Sequence, residues 1–221
     1  MSLTAMLDGK KVWAKDMLDR NLNYLDEVNQ KMILVKGKVK IDHFRHYPNQ
    51  FSLYETEHDT IEHDQGKQII YSLFKNKSPC TDVEVIKPEI KRRGDIVIPE
   101  QSLNVEYQCA SISIDEIENR TKDWDRIGYR TLWVFGTKNY FRKVYCENYR
   151  LKEPELYCLR KNGCVFYNNG NYLIQCMFCD AGRFVKDYWT GEEYWKDYKK
   201  IKELYREIKI KPGNKYSMVC E

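Results

Sequence analysis

The feature that most limits the possible folds is how hydrophobic spacing switches between helical and strand period from Thr60 to Gly136. Ile61, Ile69, Ile70, Leu73 and Phe74 recur at helical spacing, which predicts an amphipathic helix over 60–75, stopped by Asn76 to Pro79. Short β-rich runs follow at Asp82 to Ile90, Asp95 to Ile98 and Asn104 to Cys109, with Arg93-Gly94 and Pro99-Glu100 as turns. Ser113-Ile-Asp-Glu116 then has capping-box spacing, Ile114, Ile117, Trp124 and Ile127 give an apolar face, and Gly128 stands where a helix C′ residue is expected. Thr131 to Phe135 is a nearly continuous apolar run, as expected of a strand covered on both faces. The predicted order is αβββαβ, a mixed α/β (α+β) fold.

Elements on either side extend this core. An apolar run at Met32 to Val35, a turn at Lys36-Gly37-Lys38 and alternating Val39 and Ile41 predict a β-hairpin within an N-terminal segment, 1–50. The core is then 51–140. The remainder, 141–221, reads as further β structure around Val144, Val165 to Tyr167 and Tyr172 to Ile174, followed by a helix from Glu192 to Ile210 with Tyr194, Tyr198, Ile201, Tyr205 and Ile208 on one face. At 221 residues the chain has room for one full core plus appendages. No stretch approaches the roughly 18 to 20 apolar residues of a membrane span, and no apolar secretory core opens the chain, so a cytoplasmic protein without a membrane partner is expected. Eight cysteines then read as reduced thiols or metal ligands rather than a disulfide frame. The net charge of +4 suits a polyanionic partner without requiring one.

The chemistry is concentrated in acids. Asp95 opens one predicted strand, and Glu106-Tyr107-Gln108 on the next places Glu106 and Gln108 on one face by alternation. Two anions side by side need a compensating cation. Carboxylates around one or two hard cations, Mg²⁺ or Mn²⁺, supply oxygen ligands, polarise a phosphate and lower the pKa of an attacking water. Gln108 orients such a water or a phosphate oxygen through its amide but brings no charge. On the first helix Glu62 lines up with Ile69 and Leu73, and His63 with Ile70 and Phe74, so both sit near a core face where an ionisable group needs a partner. The ordinary alternative for Glu62 is a capping box, Asp59-Thr-Ile-Glu62. Asp95 has its own, as a turn residue, and so has Glu106, as a solvent-facing side chain.

Taken together, Leu7-Asp-Gly-Lys-Lys-Val12, His43-Phe-Arg-His46, Glu62-His63 with Gly66-Lys67, Arg93-Gly94-Asp95, Glu106-Tyr107-Gln108, Ser111-Ile-Ser113 and Leu132-Trp-Val-Phe-Gly136 occur in an order and spacing that resembles the CoiA-like competence proteins. The nuclease domain of that family belongs to the PD-(D/E)XK superfamily, whose core has the αβββαβ order. The resemblance runs from near the N-terminus to about Gly136. It implies a metal-dependent DNA nuclease, with Asp95, Glu106 and the Tyr107 carbonyl as metal ligands, Gln108 in place of the motif Lys and Glu62 as the helix-borne acid. His63, Lys67 and Arg93 would be supporting residues near the scissile phosphate, and His43 and His46 would either satisfy hydrogen bonds near the site or bind phosphate. The expected partner is DNA, single-stranded or duplex, with a recombinase and a second copy of the chain as further partners. The competing expectations are a catalytically degenerate DNA-binding accessory factor and an RNA-cleaving nuclease.

Two metal-ligand patterns stand apart. His43-x-x-His46 resembles half of a zinc module whose C-x-x-C partner this chain lacks. Cys176-Met-Phe-Cys179 is a C-x-x-C preceded by Cys158 and Cys164, a conceivable Cys₄ structural zinc site, against which stands the ordinary burial of free thiols in β-rich cores. In the predicted C-terminal helix, Lys199, Lys200, Lys202 and Arg206 interleave with Tyr198 and Tyr205, a mixture able to hold single-stranded DNA or simply to form a solvated face.

Overall fold

A computed structural model of the chain describes residues 2–37, 41–48, 60–140, 142–145, 148–168, 172–178, 182–186, 193–197 and 207–217. The chain divides into two compact units, one built from residues 1–107 and 119–132, the other mainly from 108–118 and 133–219.

The first unit opens with a five-stranded antiparallel sheet made of β1 (Thr4–Leu7), β2 (Lys10–Trp13), β3 (Tyr24–Leu25), β4 (Lys31–Val35) and β5 (His43–His46), in the order β2-β1-β3-β4-β5. Asp8 and Gly9, both at positive φ, turn β1 into β2. One face buries Ala5, Tyr24, Met32, Leu34 and Phe44, with the Tyr24 and Phe44 rings 4.8 Å apart. β4 pairs with His43–His46. Ile41 lies ahead of β5, and Val39 lies outside the described residues. Phe44, opposite Leu34, is fully buried in the core of this sheet.

α1 (Ile61–Lys75) follows. Its cap is Thr60, whose hydroxyl accepts from the His63 amide, so the reading of Asp59 to Glu62 as the capping box shifts by one position. The buried stripe is also rotated relative to the expected one. His63, Asp64, Gly66, Lys67 and Ile70 are buried, while Glu62, Ile69 and Leu73 are only half-buried. Polar side chains thus occupy the inward face, and burying them requires partners there. β6 (Asp82–Lys87), β7 (Arg92–Ile98) and β8 (Leu103–Gln108) form the antiparallel meander the sequence predicts, but Arg93 and Gly94, expected as a turn, lie within β7 opposite Ile86 and Val85, because the reversal falls earlier, at Pro88–Ile90 and the left-handed Lys91. Ser113 caps α2 (Ile114–Arg126) through the Glu116 amide, and Gly128 at φ 81° ends the turn that leads to β9 (Arg130–Gly136). The order α1-β6-β7-β8-α2-β9 is the predicted αβββαβ. Gly94 lets α2 approach the meander, since a Cβ there would stand 2.7 Å from the buried Trp124 ring.

In the second unit β9 pairs in parallel with β12 (Cys164–Asn168), with Phe166 opposite Val134. Beyond β12 come β13 (Tyr172–Phe178), β16 (Glu207–Ser217), β11 (Asn148–Arg150) and β10 (Arg142–Tyr145), each antiparallel to its neighbour. β14 (Gly182–Lys186) and β15 (Glu193–Asp197) make a separate hairpin. These assignments correct the C-terminal helix. Tyr194 lies on β15 and Ile208 on β16, and Lys199, Lys200, Ile201, Lys202, Tyr205 and Arg206 lie outside the described residues. Ile208 and Ile210 alternate with Lys209 and Lys211, a period-two pattern that the wider aromatic spacing obscured. A helix not predicted from the sequence, α3 (Glu153–Asn162), carries Pro154 near its start and ends at Gly163, φ 70°. It buries Leu156, Cys158 and Leu159 against Trp133, Phe135, Val165 and Tyr167.

Candidate active site

α1 and the meander assemble a buried polar cluster in the first unit. Val83 pairs with Ile96 and Val85 with Gly94, which sets Glu84 abreast of Asp95. Glu84 adopts φ 54°, a left-handed conformation disfavoured for a residue with a Cβ, in mid-strand. Its buried carboxylate is the reason the conformation persists. One oxygen lies 2.8 Å from the Lys67 ammonium, and the other accepts from the Ser2 hydroxyl and the Leu3 amide, both at 2.7 Å. Lys67 is fully buried and also stands 3.5 Å from Asp64. An ion pair at that depth is held by its geometry, because desolvating each charge costs several kcal/mol unless the partner is in place.

Asp95 engages the same helix. Its Oδ2 lies 3.4 Å from His63 Nε2 and accepts the Tyr107 amide at 2.9 Å. The carboxylate thus takes the amide that a backbone carbonyl would take in a continuous β-ladder. Burial acts to raise the Asp95 pKa. The charge and hydrogen bond of His63, the charge of Lys67 and the Tyr107 amide outweigh it and hold the carboxyl at about 2. Asp95 is therefore ionised at any physiological pH. The His63 ring lies parallel to that of Tyr107 at 5.7 Å, and Tyr107 in turn needs Gly66 beneath it, where a Cβ would stand 1.9 Å from the ring.

Glu106 turns the other way. Alternation along β8 opposes it to Tyr107, and its carboxylate accepts from the Asn104 amide at 2.7 Å and faces the Arg120 guanidinium of α2 at 3.5 Å. Asp95 and Glu106 therefore bind different helices rather than a common point. Gln108, two residues on, donates its side-chain amide to the Ala110 carbonyl at 2.9 Å. Glu62 sits half-buried on the first turn of α1, ahead of His63. Among the described residues no group of three or more His, Cys, Asp or Glu side chains is placed to hold a metal ion. In this arrangement the Asp95, Glu106 and Tyr107 donor set does not fit the divalent cation that the resemblance implies.

The family model for the nuclease-like domain of competence protein CoiA matches residues 59–177. The chain belongs to this family. Competence protein CoiA of Bacillus subtilis (strain 168) is 31% identical over 102 residues, covering 45% of this chain and 27% of that protein. The chain thus spans about a quarter of the length of its CoiA relative. No solved structure matches it. The CoiA match takes in α1, the meander, α2, β9 and α3, and with them His63, Lys67, Asp95, Glu106 and Gln108. The N-terminal pieces of the likeness, Leu7 to Val12 and His43 to His46, fall ahead of it.

The remaining expected residues divide into two groups. Arg93 and His46 line a small cleft of ≈ 30 Å³ together with Ser2, Thr4, Glu84 and Ile86, room for roughly two waters. His46 Nε2 is 3.0 Å from Asp26, whereas His43 Nδ1 meets the Ile41 carbonyl at 3.0 Å. Three residues apart on a strand, the two imidazoles project to opposite faces and do not form a chelating pair. Cys158 is buried within the α3 core, where burial pushes its thiol up to about 12. Cys164 begins β12, the Cys176 backbone pairs with Val165, and Cys179 lies outside the described residues. Sequence reasoning missed Glu84, Asp64 and the Ser2 to Thr4 segment. The one available signal was an acid, Glu84, set between Val83 and Val85-Ile86 in a short apolar run.

Proposed function

We propose that this chain is a nuclease that binds DNA and hydrolyses its phosphodiester bonds, with Asp95, His63 and Lys67 as the central groups. The observation that carries the reading is the buried, ionised Asp95 flanked by an imidazole and an ammonium, inside the segment that matches the nuclease-like domain. Hydrolysis of a phosphodiester needs a base to take the proton of the attacking water and positive charge to offset what develops on the phosphoryl oxygens. Asp95 and the stacked Tyr107 fix the His63 ring, which takes that proton only when it is in its neutral form. Lys67, fully buried against Glu84 and Asp64, adds its charge to the field that keeps Asp95 ionised. Glu106 serves by fixing Arg120 of α2.

A second reading is favoured by the separation of Asp95 from Glu106: a CoiA-type DNA-binding accessory factor, acting with a recombinase, in which cleavage has been lost. One set of reactions separates them. The purified chain is incubated with single-stranded DNA, duplex DNA and RNA in Mg²⁺, Mn²⁺ or EDTA, which also tests the metal dependence implied by the resemblance. The nuclease reading expects DNA cleavage that falls by a factor of about 10²–10⁴ in Asp95→Ala and His63→Ala. Cleavage by Asp95→Ala at the parent rate refutes it, and DNA binding with no cleavage under any ion establishes the accessory reading.

A further inference from the structure

A row of four side chains on the first unit is absorbed neither by its core nor by the Asp95 cluster. Trp13 ends β2, an edge strand, and its ring centroid lies 5.0 Å from that of Tyr71 on α1, tilted by 55°. The Lys15 ammonium sits over the Trp13 ring at 5.2 Å, and the Lys75 ammonium over the Tyr71 ring at 5.7 Å. Both rings are half-exposed and both lysines exposed, with Lys77 exposed just beyond the helix end. Asp16, in the same short turn as Lys15, offsets part of the charge.

The ordinary role of Trp13 and Tyr71 is to tie β2 to α1. That role does not require a cation at each end of the pair. An exposed lysine lying on an indole face is weakly held, so a flat, uncharged ring displaces it at little cost and leaves the ammonium free to meet a phosphate beside that ring. Lys75 differs, since its ammonium also donates to the Pro79 and Thr81 carbonyls at 2.6 and 3.0 Å, which fixes a positive charge beside Tyr71. Aromatic faces alternating with cations match a strand whose unpaired bases stack while its phosphates pass on either side. A duplex cannot use them, because its bases are already stacked inside.

We propose that Trp13 and Tyr71, flanked by Lys15 and Lys75, form a stacking platform for single-stranded DNA. This rests on the nuclease reading for its choice of DNA and adds to it the strandedness of the substrate and a contact away from Asp95.

Fluorescence anisotropy of a labelled oligo-dT in EDTA, where binding is read without metal-dependent cutting, tests the platform on the full chain. Arms with a duplex and with oligo-rU of equal length are read alongside. The parent binds oligo-dT more tightly than either. Trp13→Leu with Tyr71→Leu weakens that binding tenfold or more, by the loss of stacking on two rings. Because that variant also disturbs the β2 to α1 packing, Lys15→Gln is the second probe. It touches only the indole face, and it lowers the slope of log affinity against log salt by about 0.7, the loss of one phosphate contact. Equal affinity for duplex, tighter binding of oligo-rU, no binding of oligo-dT by the parent, or an unchanged salt slope in Lys15→Gln overturns the platform. The nuclease reading falls on a different result, the cleavage rate of Asp95→Ala, so each can fail without the other.

Discussion

Gly66 gives the sharpest test of how α1 is seated. In an exposed helix Gly→Ala is stabilising by about 1 kcal/mol, because alanine has less backbone entropy to lose on folding. At Gly66 the added Cβ would stand 1.9, 2.4 and 2.7 Å from three atoms of the Tyr107 ring, which is itself buried and stacked on His63. Neither ring can yield without opening the Asp95 cluster. Overpacking of a core costs about 1–3 kcal/mol, and a contact this short belongs at the upper end. The difference predicts a net loss of about 1–2 kcal/mol, read as a fall of roughly 0.5–1 M in the urea midpoint for a slope near 2 kcal/mol/M. Tyr107→Leu removes the clashing ring atoms. In that background Gly66→Ala loses most of its cost, and the double-mutant cycle gives a coupling above about 1 kcal/mol. A midpoint that rises or stays put in the single Gly66→Ala protein would show that α1 does not rest on Tyr107, and the placement of His63 would go with it.

Asp95 carries a pH signature whose sign is fixed. Its carboxyl is held at about 2 in the folded protein against 3.8 in the unfolded chain, so it contributes about 2 kcal/mol at pH values above 4, lost as the pH falls toward 2. Unfolding free energies of the parent and Asp95→Asn are expected to differ least at about pH 2 and to separate up to about pH 5. A constant difference across that range contradicts an ionised, paired Asp95. Lys67→Met keeps the length of the side chain and removes its charge from beside Glu84 and Asp64. A loss of about 3–5 kcal/mol in unfolding free energy follows, with at least about 1 kcal/mol recovered in Lys67→Met with Glu84→Gln. If the double variant is no more stable than the single one, Glu84 is not the partner that matters.

The αβββαβ core was legible because each of its elements repeats its own period over enough residues to exclude the other. α2 also carries end signals at Ser113 and Gly128 that the structure uses, whereas the α1 cap falls at Thr60, one position beyond the expected Asp59. α3 was not legible, since its ten residues, Glu153–Asn162, offer only three turns and sit among aromatic runs that read as strand, though Pro154 and Gly163 marked its ends. At the C-terminus, tyrosines recurring at four- and three-residue steps imitated a helix in a segment whose isoleucines alternate. Within the site, His63 could be picked out as a residue near an inward face and Asp95 as an acid at a strand start. The direction of Glu106 could not, because it depends on Asp95 accepting the Tyr107 amide and on Arg120 lying across α2, neither of which is local. Glu84 was hidden for a different reason. Its left-handed backbone is tolerated only because partners from a distant stretch hold the carboxylate, and sequence periodicity carries no information about such an arrangement.

The hydrogen bond from the Leu3 amide to Glu84 joins positions 81 residues apart, and the family match begins only at residue 59. A fragment trimmed to that match would strip Glu84 of its Ser2 and Leu3 donors and leave Lys67 alone to hold the carboxylate. Expression boundaries for this domain therefore belong upstream of Ser2, and a cut made where the homology starts would leave the second Glu84 oxygen to find water instead.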